Sequence, residues 1–374
     1  MDERDERLAV VVDKPRAEAV IDDLERAGVY DADRAVREYD EGSVSFPVTA
    51  VPDAVDYREV VRQVGQPRLR DLADHLRERG WTDEEIDAAP SSWAVLGTVV
   101  LVDPGDAPRP EELGEALLDL HGAADTVLAR GPITGAHREP DVTVLAGEGD
   151  TETVHREHGT TYAMDLAEVM FSPGNKAERA RMGEVVREGE RVVDMFAGIG
   201  YFTLPMARAG AEVTAIERNP ASFEFLLENV RRNGVEERVQ PYRADCRDVL
   251  RVAAEPPRTD EVGKADLAED SATDVRADRI VMGYYDASEP RSEDSRSPSD
   301  ASHEYLDSAL GALDPGGVVH MHEATPEGLV PDRPVERLRA AADDCGRSVE
   351  ILETRRVKGY SEGVAHVVVD ARVD

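Results

Sequence analysis

The sequence predicts an α/β protein whose main body, residues 155–374, is a mostly parallel sheet with helical crossovers, preceded by smaller α+β domains. Three observations predict this. From Arg191 onward, short apolar runs alternate with helix-patterned segments, which is how a parallel sheet reads. The run Asp194-Met195-Phe196-Ala197-Gly198-Ile199-Gly200 sets a glycine turn directly between a strand and a helix. Upstream of residue 155 the elements are shorter and do not keep that alternation.

Taken in order, residues 7–12 read as a strand, 16–27 as a helix and 44–50 as a strand, forming a small domain over 1–55. A middle domain is expected over 56–154. There, 56–79 is helical by apolar spacing, 82–88 is a short helix, 93–102 an apolar strand and 111–121 a helix, while 126–128 and 142–146 are strand-like. In the third domain, strands are expected at 192–195, 212–217, 239–244, 279–283, 317–322, 349–354 and 365–371. Helices are expected at 203–209, 220–233 and 334–345. Two stretches, 254–277 and 286–302, are rich in Asp, Glu, Ser and Pro, lack periodicity and read as acidic, solvated insertions.

Composition limits the function classes. Of 374 residues, 44 are Lys or Arg and 79 are Asp or Glu, a formal charge of −35 spread along the chain. Taken alone, a dispersed acidic surface disfavours nucleic acid. Proteins working in concentrated salt carry the same excess, because the Debye length falls to about 3 Å at 1 M and repulsion is screened. Few aromatics, and few Lys beside plentiful Arg, favour this halophilic reading. Local basic clusters then indicate partners better than net charge does. Cys246 and Cys345 are the only cysteines, which argues against a disulfide framework and a structural zinc site, and no metal is expected. The opening MDERDER is the opposite of a signal peptide, and no apolar run approaches membrane-spanning length. A cytoplasmic protein without membrane contact is expected.

The glycine turn carries the chemistry. Glycine lets a backbone pass close beneath a ligand, and the helix start offers N–H donors. Glu217 ends the next strand, where a carboxylate can accept both ribose hydroxyls of a nucleoside. Asp245 ends the third strand, where a carboxylate can accept from an adenine amine. Residue 203 is Thr, so the third glycine of a dinucleotide loop is missing, and no phosphate-cradling P-loop is present. Singly, each feature is equally a bland turn or a solvated strand end. Together they fit a nucleoside lacking phosphates, and S-adenosylmethionine is the expected co-substrate of a Rossmann-like class I transferase domain.

Just upstream stands Phe171-Ser172-Pro173-Gly174-Asn175-Lys176-Ala177-Glu178-Arg179-Ala180-Arg181-Met182. With the 194–200 loop it resembles one superfamily acting on position 37 of tRNA. That superfamily holds the tRNA guanine-37 N1-methyltransferases and the archaeal wybutosine-synthesising aminocarboxypropyltransferases. The likeness takes in Gly131-Pro132-Ile133-Thr134-Gly135 with Arg138 and Pro140, Tyr162-Ala163-Met164-Asp165, and Arg356-Val357-Lys358-Gly359-Tyr360 with His366. Methylating members carry Asn-Pro-Pro-Tyr after the fourth strand, whereas this chain has Val281-Met282-Gly283-Tyr284-Tyr285-Asp286. The resemblance therefore implies transfer of the 3-amino-3-carboxypropyl group to the wyosine precursor 4-demethylwyosine at position 37 of tRNA-Phe, releasing methylthioadenosine. Guanine-37 N1-methylation is the alternative.

In that branch the resemblance implies cofactor contacts from Ser172, Arg179, Glu217, Asp245 and Cys246, beside the loop residues Asp194, Phe196, Gly198 and Gly200. Arg179 suits the methionine carboxylate, since a guanidinium grips one bidentately. A surface ion pair with Glu178 or Glu184 is the plainer alternative. No general base stands out among His155, His158, His320 and His322, and the last two read as packing or rim residues. Arg355, Arg356 and Lys358 beside Tyr360, with Arg138, are candidate tRNA contacts. A non-catalytic RNA-binding module and a methyltransferase for small molecules or proteins are the competing classes. A monomer is expected.

Overall fold

A computed structural model of the chain describes residues 6–65, 67–134, 138–254, 275–284 and 302–374, in two compact units. Most of both expected insertions lies outside the described residues.

The first unit comprises Met1–Ala89 and Gly105–Gly122. Its sheet is built from β1 (Glu6–Asp13), β2 (Arg37–Asp40), β3 (Ser43–Pro47) and β4 (Glu59–Val64), in the order β2-β3-β1-β4. The central strand β1 is the most apolar, and Val10 and Val12 pack against Val20 and Leu24 of helix α1 (Ala17–Arg26). The expected helix over 56–79 is a correction. Its first part is β4, which pairs antiparallel with β1. Val60 and Val61 are β-branched and complete the backbone pairing of β1, which outweighs their helical spacing. This sheet therefore runs past the expected boundary at 55. The helix itself, α2 (Leu72–Glu78), starts where the Asp71 side chain accepts from the Asp74 N–H at 2.9 Å. Helix α3 (Asp83–Asp87) opens on a Thr82–Glu85 capping box. Helix α4 (Pro110–Leu120) begins with proline at its first turn.

The second unit comprises Pro90–Pro104 and Ala123–Asp374. A four-stranded sheet joins β5 (Trp93–Leu96), β6 (Val99–Val102), β7 (Thr126–Thr134) and β8 (Glu139–Gly147) in sequence order. The single strand expected over 93–102 is a hairpin instead. Gly97 turns it at φ +59°, and a Cβ there would overlap Thr153 Oγ1 and the Val154 carbonyl. A second hairpin follows, β9 (Glu152–Glu157) and β10 (Thr160–Asp165), and then helix α5 (Lys176–Val185).

All seven strands expected in the third domain form one sheet. They are β11 (Arg191–Asp194), β12 (Glu212–Glu217), β13 (Val239–Arg243), β14 (Ala277–Met282), β15 (Leu313–Pro326), β16 (Val349–Ser361) and β17 (Val364–Val373). The order is β13-β12-β11-β14-β15-β17-β16, parallel except for β17, which inserts antiparallel between β15 and β16. Alternate residues feed two cores. Val192, Ala215 and Val281 lie in one, and their neighbours Val193, Ile216 and Ile280 in the other, so both faces are covered. Helices α6 (Thr203–Arg208), α7 (Pro220–Asn233), α8 (Cys246–Ala254), α9 (Leu306–Ala312) and α10 (Asp332–Asp344) complete the layers. The strand order reverses between β12 and β14, on either side of β11. Ligands of such sheets bind outside the strand ends at that switch point.

Candidate S-adenosylmethionine pocket

A pocket opens at the carboxyl ends of β11, β12, β13 and β14. Asp194 ends β11 and is wholly buried. Its Oδ2 accepts from the Thr203 N–H at 3.1 Å and the Thr203 hydroxyl at 2.7 Å, and Oδ1 accepts from the Phe196 N–H at 3.4 Å. It thus ties both ends of the glycine turn. Burial pushes its carboxyl up to about 6, against the Thr203 hydrogen bond. Gly200 has φ +103°, and a Cβ there would sit 2.7 Å from Leu204 Cγ. Asp194 and Gly200 shape the loop from behind and do not line the pocket. Gly198 and Phe196 do.

Glu217 ends β12 and reaches back to the loop. Its Oε2 accepts from the Gly198 N–H at 2.8 Å and Oε1 from the Asn219 N–H at 2.7 Å. Burial raises its carboxyl above the usual range, against those backbone donors. Asp245 lines the pocket after β13 but is gripped by Arg247, whose Nε and Nη2 donate to it at 2.9 and 2.7 Å. That ion pair holds its carboxyl below the usual range. Beside it, burial pushes the Cys246 thiol up to about 12, so it is no thiolate nucleophile. Gly283 and Tyr284 follow β14. Tyr284, Phe196 and Tyr305 form an aromatic wall, with Phe196 centred 5.2 Å from Tyr284 and 4.9 Å from Tyr305. Tyr285 and Asp286 of the expected segment lie outside the described residues.

The 171–182 segment supplies the other wall. Ser172, Asn175 and Arg179 line it. Arg179 pairs with neither Glu178 nor Glu184. It is buried, and its Nε and Nη2 both donate to Glu157 of β9, the latter at 3.0 Å. Nη1 donates to the Ser172 carbonyl at 2.8 Å, and the guanidinium stacks over Phe171 at 4.7 Å. Burial drives the Glu157 carboxyl up, but His155 and Arg179 outweigh it and hold it at about 2.

The expected tRNA contacts separate. Arg138 lines the pocket, 5.5 Å over the Tyr284 ring. Lys358 turns inward, its Nζ donating to Ser172 Oγ at 2.6 Å. Arg355 donates its guanidinium N–H groups to Glu178, Glu353 and Asp370, at 2.7, 2.8 and 2.6 Å, inside a network that also holds Arg181 and His320. Three carboxylates leave it poorly placed for a phosphate. Arg356 is exposed and paired with Glu327. His320 and His322 are buried within the sheet, as their packing reading requires.

Several contributors escaped the sequence reading. Glu157 is one. Tyr305 is another, since it follows the second insertion with no motif around it. Asn229 is a third. Fully buried on α7, it donates to the carbonyls of Ala163 and Ile199, both at 3.0 Å, tying the β10 hairpin to the glycine turn. The two carboxylates at the ends of β12 and β13, the aromatic wall and the fixed guanidinium together fit a nucleoside bearing an amino-acid tail. Among the described residues, no group of three His, Cys, Asp or Glu is arranged to hold a metal ion, and no helix is long and apolar enough to cross a membrane.

The TRM5/TYW2 methyltransferase domain matches residues 153–291 and 259–352, and the TYW2 N-terminal domain matches residues 72–151. The chain is 36% identical to the tRNA(Phe) (4-demethylwyosine(37)-C(7)) aminocarboxypropyltransferase of Pyrococcus horikoshii, across 82% of this chain and 97% of that protein. The chain belongs to the TRM5/TYW2 family.

Other members of the TRM5/TYW2 family share its architecture. The crystal structure of P. horikoshii TYW2 in complex with MeSAdo has a TM-score of 0.61 and 34% identity, covering 80% of this chain and 96% of that one. Trm5b from Pyrococcus abyssi has a TM-score of 0.66 and 28% identity, covering 98% and 99%. The fold is the Rossmann-like class I transferase fold of the TRM5/TYW2 family.

Proposed function

We propose that this chain transfers the 3-amino-3-carboxypropyl group of S-adenosylmethionine to 4-demethylwyosine at position 37 of tRNA-Phe, releasing methylthioadenosine. The observation that carries the reading is Arg179, buried on the pocket wall with one edge fixed by Glu157. A guanidinium held in this way grips a carboxylate at low entropic cost. It would fix the methionine end of the co-substrate. The glycine-and-tyrosine segment after β14 supports the same branch, since it lacks the Asn-Pro-Pro of methylating members. So does the likeness to the aminocarboxypropyltransferase of P. horikoshii.

In this reading Glu217 accepts from the ribose, and Asp245 with Cys246 borders the adenine. Phe196, Tyr284 and Tyr305 exclude water and offer a surface for a flat ring. Ser172 and Arg179 hold the amino-acid tail, while Arg138 meets the tRNA. The co-substrate supplies an electrophilic carbon next to a sulfonium, and alignment of that carbon against the base contributes most of the acceleration. The middle segment assists tRNA contact. The protein works as a cytoplasmic monomer adapted to concentrated salt. Incubation with tRNA and with S-adenosylmethionine labelled separately in methyl and carboxyl positions tests the reading: carboxyl label must enter the tRNA.

A further inference from the structure

We infer that Ser172 and Lys358 form a proton-transfer pair, in which Ser172 Oγ takes the proton leaving the acceptor carbon and passes its own to the Lys358 amine. The inference rests on the proposed transfer reaction, which replaces a ring C–H by a C–C bond and so must dispose of a proton.

Composition is the first observation. The chain has four lysines, Lys14, Lys176, Lys264 and Lys358, against forty arginines. Nearly every fixed positive charge in the chain is therefore an Arg. A half-buried lysine bonded to a pocket-lining serine stands out against that habit. What lysine offers and arginine does not is an amine that can lose its proton near neutral pH.

Geometry is the second. Lys358 Nζ lies 2.6 Å from Ser172 Oγ, and Ser172 lines the pocket. Gly174 makes room: a Cβ there would stand 3.1 Å from Lys358 Cδ. The β16 strand shifts register between Arg356 and Lys358, re-aiming the side chain. Among the described residues Lys358 forms no ion pair, in a chain with 79 acidic residues.

The surroundings favour the neutral amine. Arg130 of β7, Arg138 before β8 and Arg179 of α5 face it, Glu157 is committed to Arg179, and His366 stands opposite on β17. Burial first, then these cations, lowers the Lys358 amine below the ordinary lysine range. A cationic co-substrate beside it would act in the same direction.

The step balances. The bond from the γ-carbon to sulfur breaks and its electron pair stays on sulfur, giving neutral methylthioadenosine. The acceptor ring supplies the pair for the new bond at C7. The C7–H pair returns to the ring as its proton moves to Ser172 Oγ, while the Ser172 hydroxyl proton moves to Lys358. The positive charge that entered as a sulfonium ends as an ammonium, which releases its proton to water. Ser172 is the catalytic group, and Lys358 acts through it.

Two measurements test the pair on the full chain in molar salt. In the first, competitive acetylation of the unliganded protein across pH, read by peptide mass spectrometry, should show Lys358 titrating below the ordinary lysine range. In the second, carboxyl-label transfer is followed at saturating S-adenosylmethionine. Lys358→Ala should lose at least about a hundredfold in rate, the scale of general-base catalysis. Lys358→Arg should fail to restore it, small primary amines should partly rescue Lys358→Ala, and the rise of wild-type rate with pH should vanish in both variants. Lys358→Arg within a few-fold of wild type, or Lys358 titrating as an ordinary lysine, would overturn the pair and leave a fixed-charge contact. Wild-type protein that transfers only methyl label would instead sink the proposed function, while the acetylation titration still decides the state of Lys358.

Discussion

Glu157 and Arg179 form a buried, two-pronged ion pair that joins hairpin β9–β10 to helix α5 at the pocket wall, with side-chain exposures of 3% and 2%. Breaking it from one side strands a charge. Glu157→Ala should destabilise the fold by about 3–5 kcal/mol, the range for removing one partner of a buried pair. Denaturant titration in molar salt reads this. A loss below about 1 kcal/mol would mean that water reaches the site.

Arg179→Ala acts on function as well. It should suppress transfer more than it weakens binding of methylthioadenosine, because the lost contact lies at the amino-acid end. Equal losses in both would place Arg179 at the adenosine end and remove the main support for the proposed chemistry.

Glu217→Ala should weaken S-adenosylmethionine binding by about 2–3 kcal/mol, the scale of a hydrogen bond to a charged group. Calorimetry on variant protein with unchanged circular dichroism measures it. Unchanged affinity would reduce Glu217 to a brace for Gly198 and Asn219.

Acid stability should depend on two carboxylates with opposite signs. Glu157 is held at about 2 in the fold against an ordinary 4.5, so its contribution is full above 4.5 and is lost as pH falls toward 2. Asp194 is raised to about 6 against an ordinary 3.8, so its contribution is full below 3.8 and is lost as pH rises through 6. Asp194→Asn should therefore flatten the pH dependence between those values, and Glu157→Gln should flatten it at the acid end. Unfolding midpoints across pH would show no such change if both groups titrate normally.

Salt should stabilise the chain. Moving from molar salt to about 0.1 M extends the Debye length from about 3 to about 10 Å and exposes the repulsion of 35 net negative charges. The melting temperature should fall accordingly. A salt-independent melting temperature would remove the halophilic reading.

The parallel sheet was legible because its signals are local. Apolar runs such as Val192-Val193 end in Asp194, Glu217 follows its own run, and Gly198 marks the turn between strand and helix. What stayed hidden depends on partners distant in sequence. Residues 59–64 carry helical spacing, yet β1 needs a neighbour and takes Val60 and Val61 as a strand. Glu157 is one acid among 79 until the fold brings it to Arg179, 22 residues away. Arg355 reads as a tRNA contact until β17 sets Asp370 against it. Lys358 reads as a tRNA contact, and the fold turns it toward Ser172.

Which carbon leaves the co-substrate decides the function. Protein, tRNA carrying 4-demethylwyosine, and S-adenosylmethionine labelled either in the methyl or in the carboxyl carbon suffice for the measurement. The predicted result is carboxyl label in the tRNA, no methyl label there, and methylthioadenosine as the released product. Methyl label at guanosine 37 with S-adenosylhomocysteine released would contradict it, and would assign the Gly283-Tyr284 segment to methyl transfer.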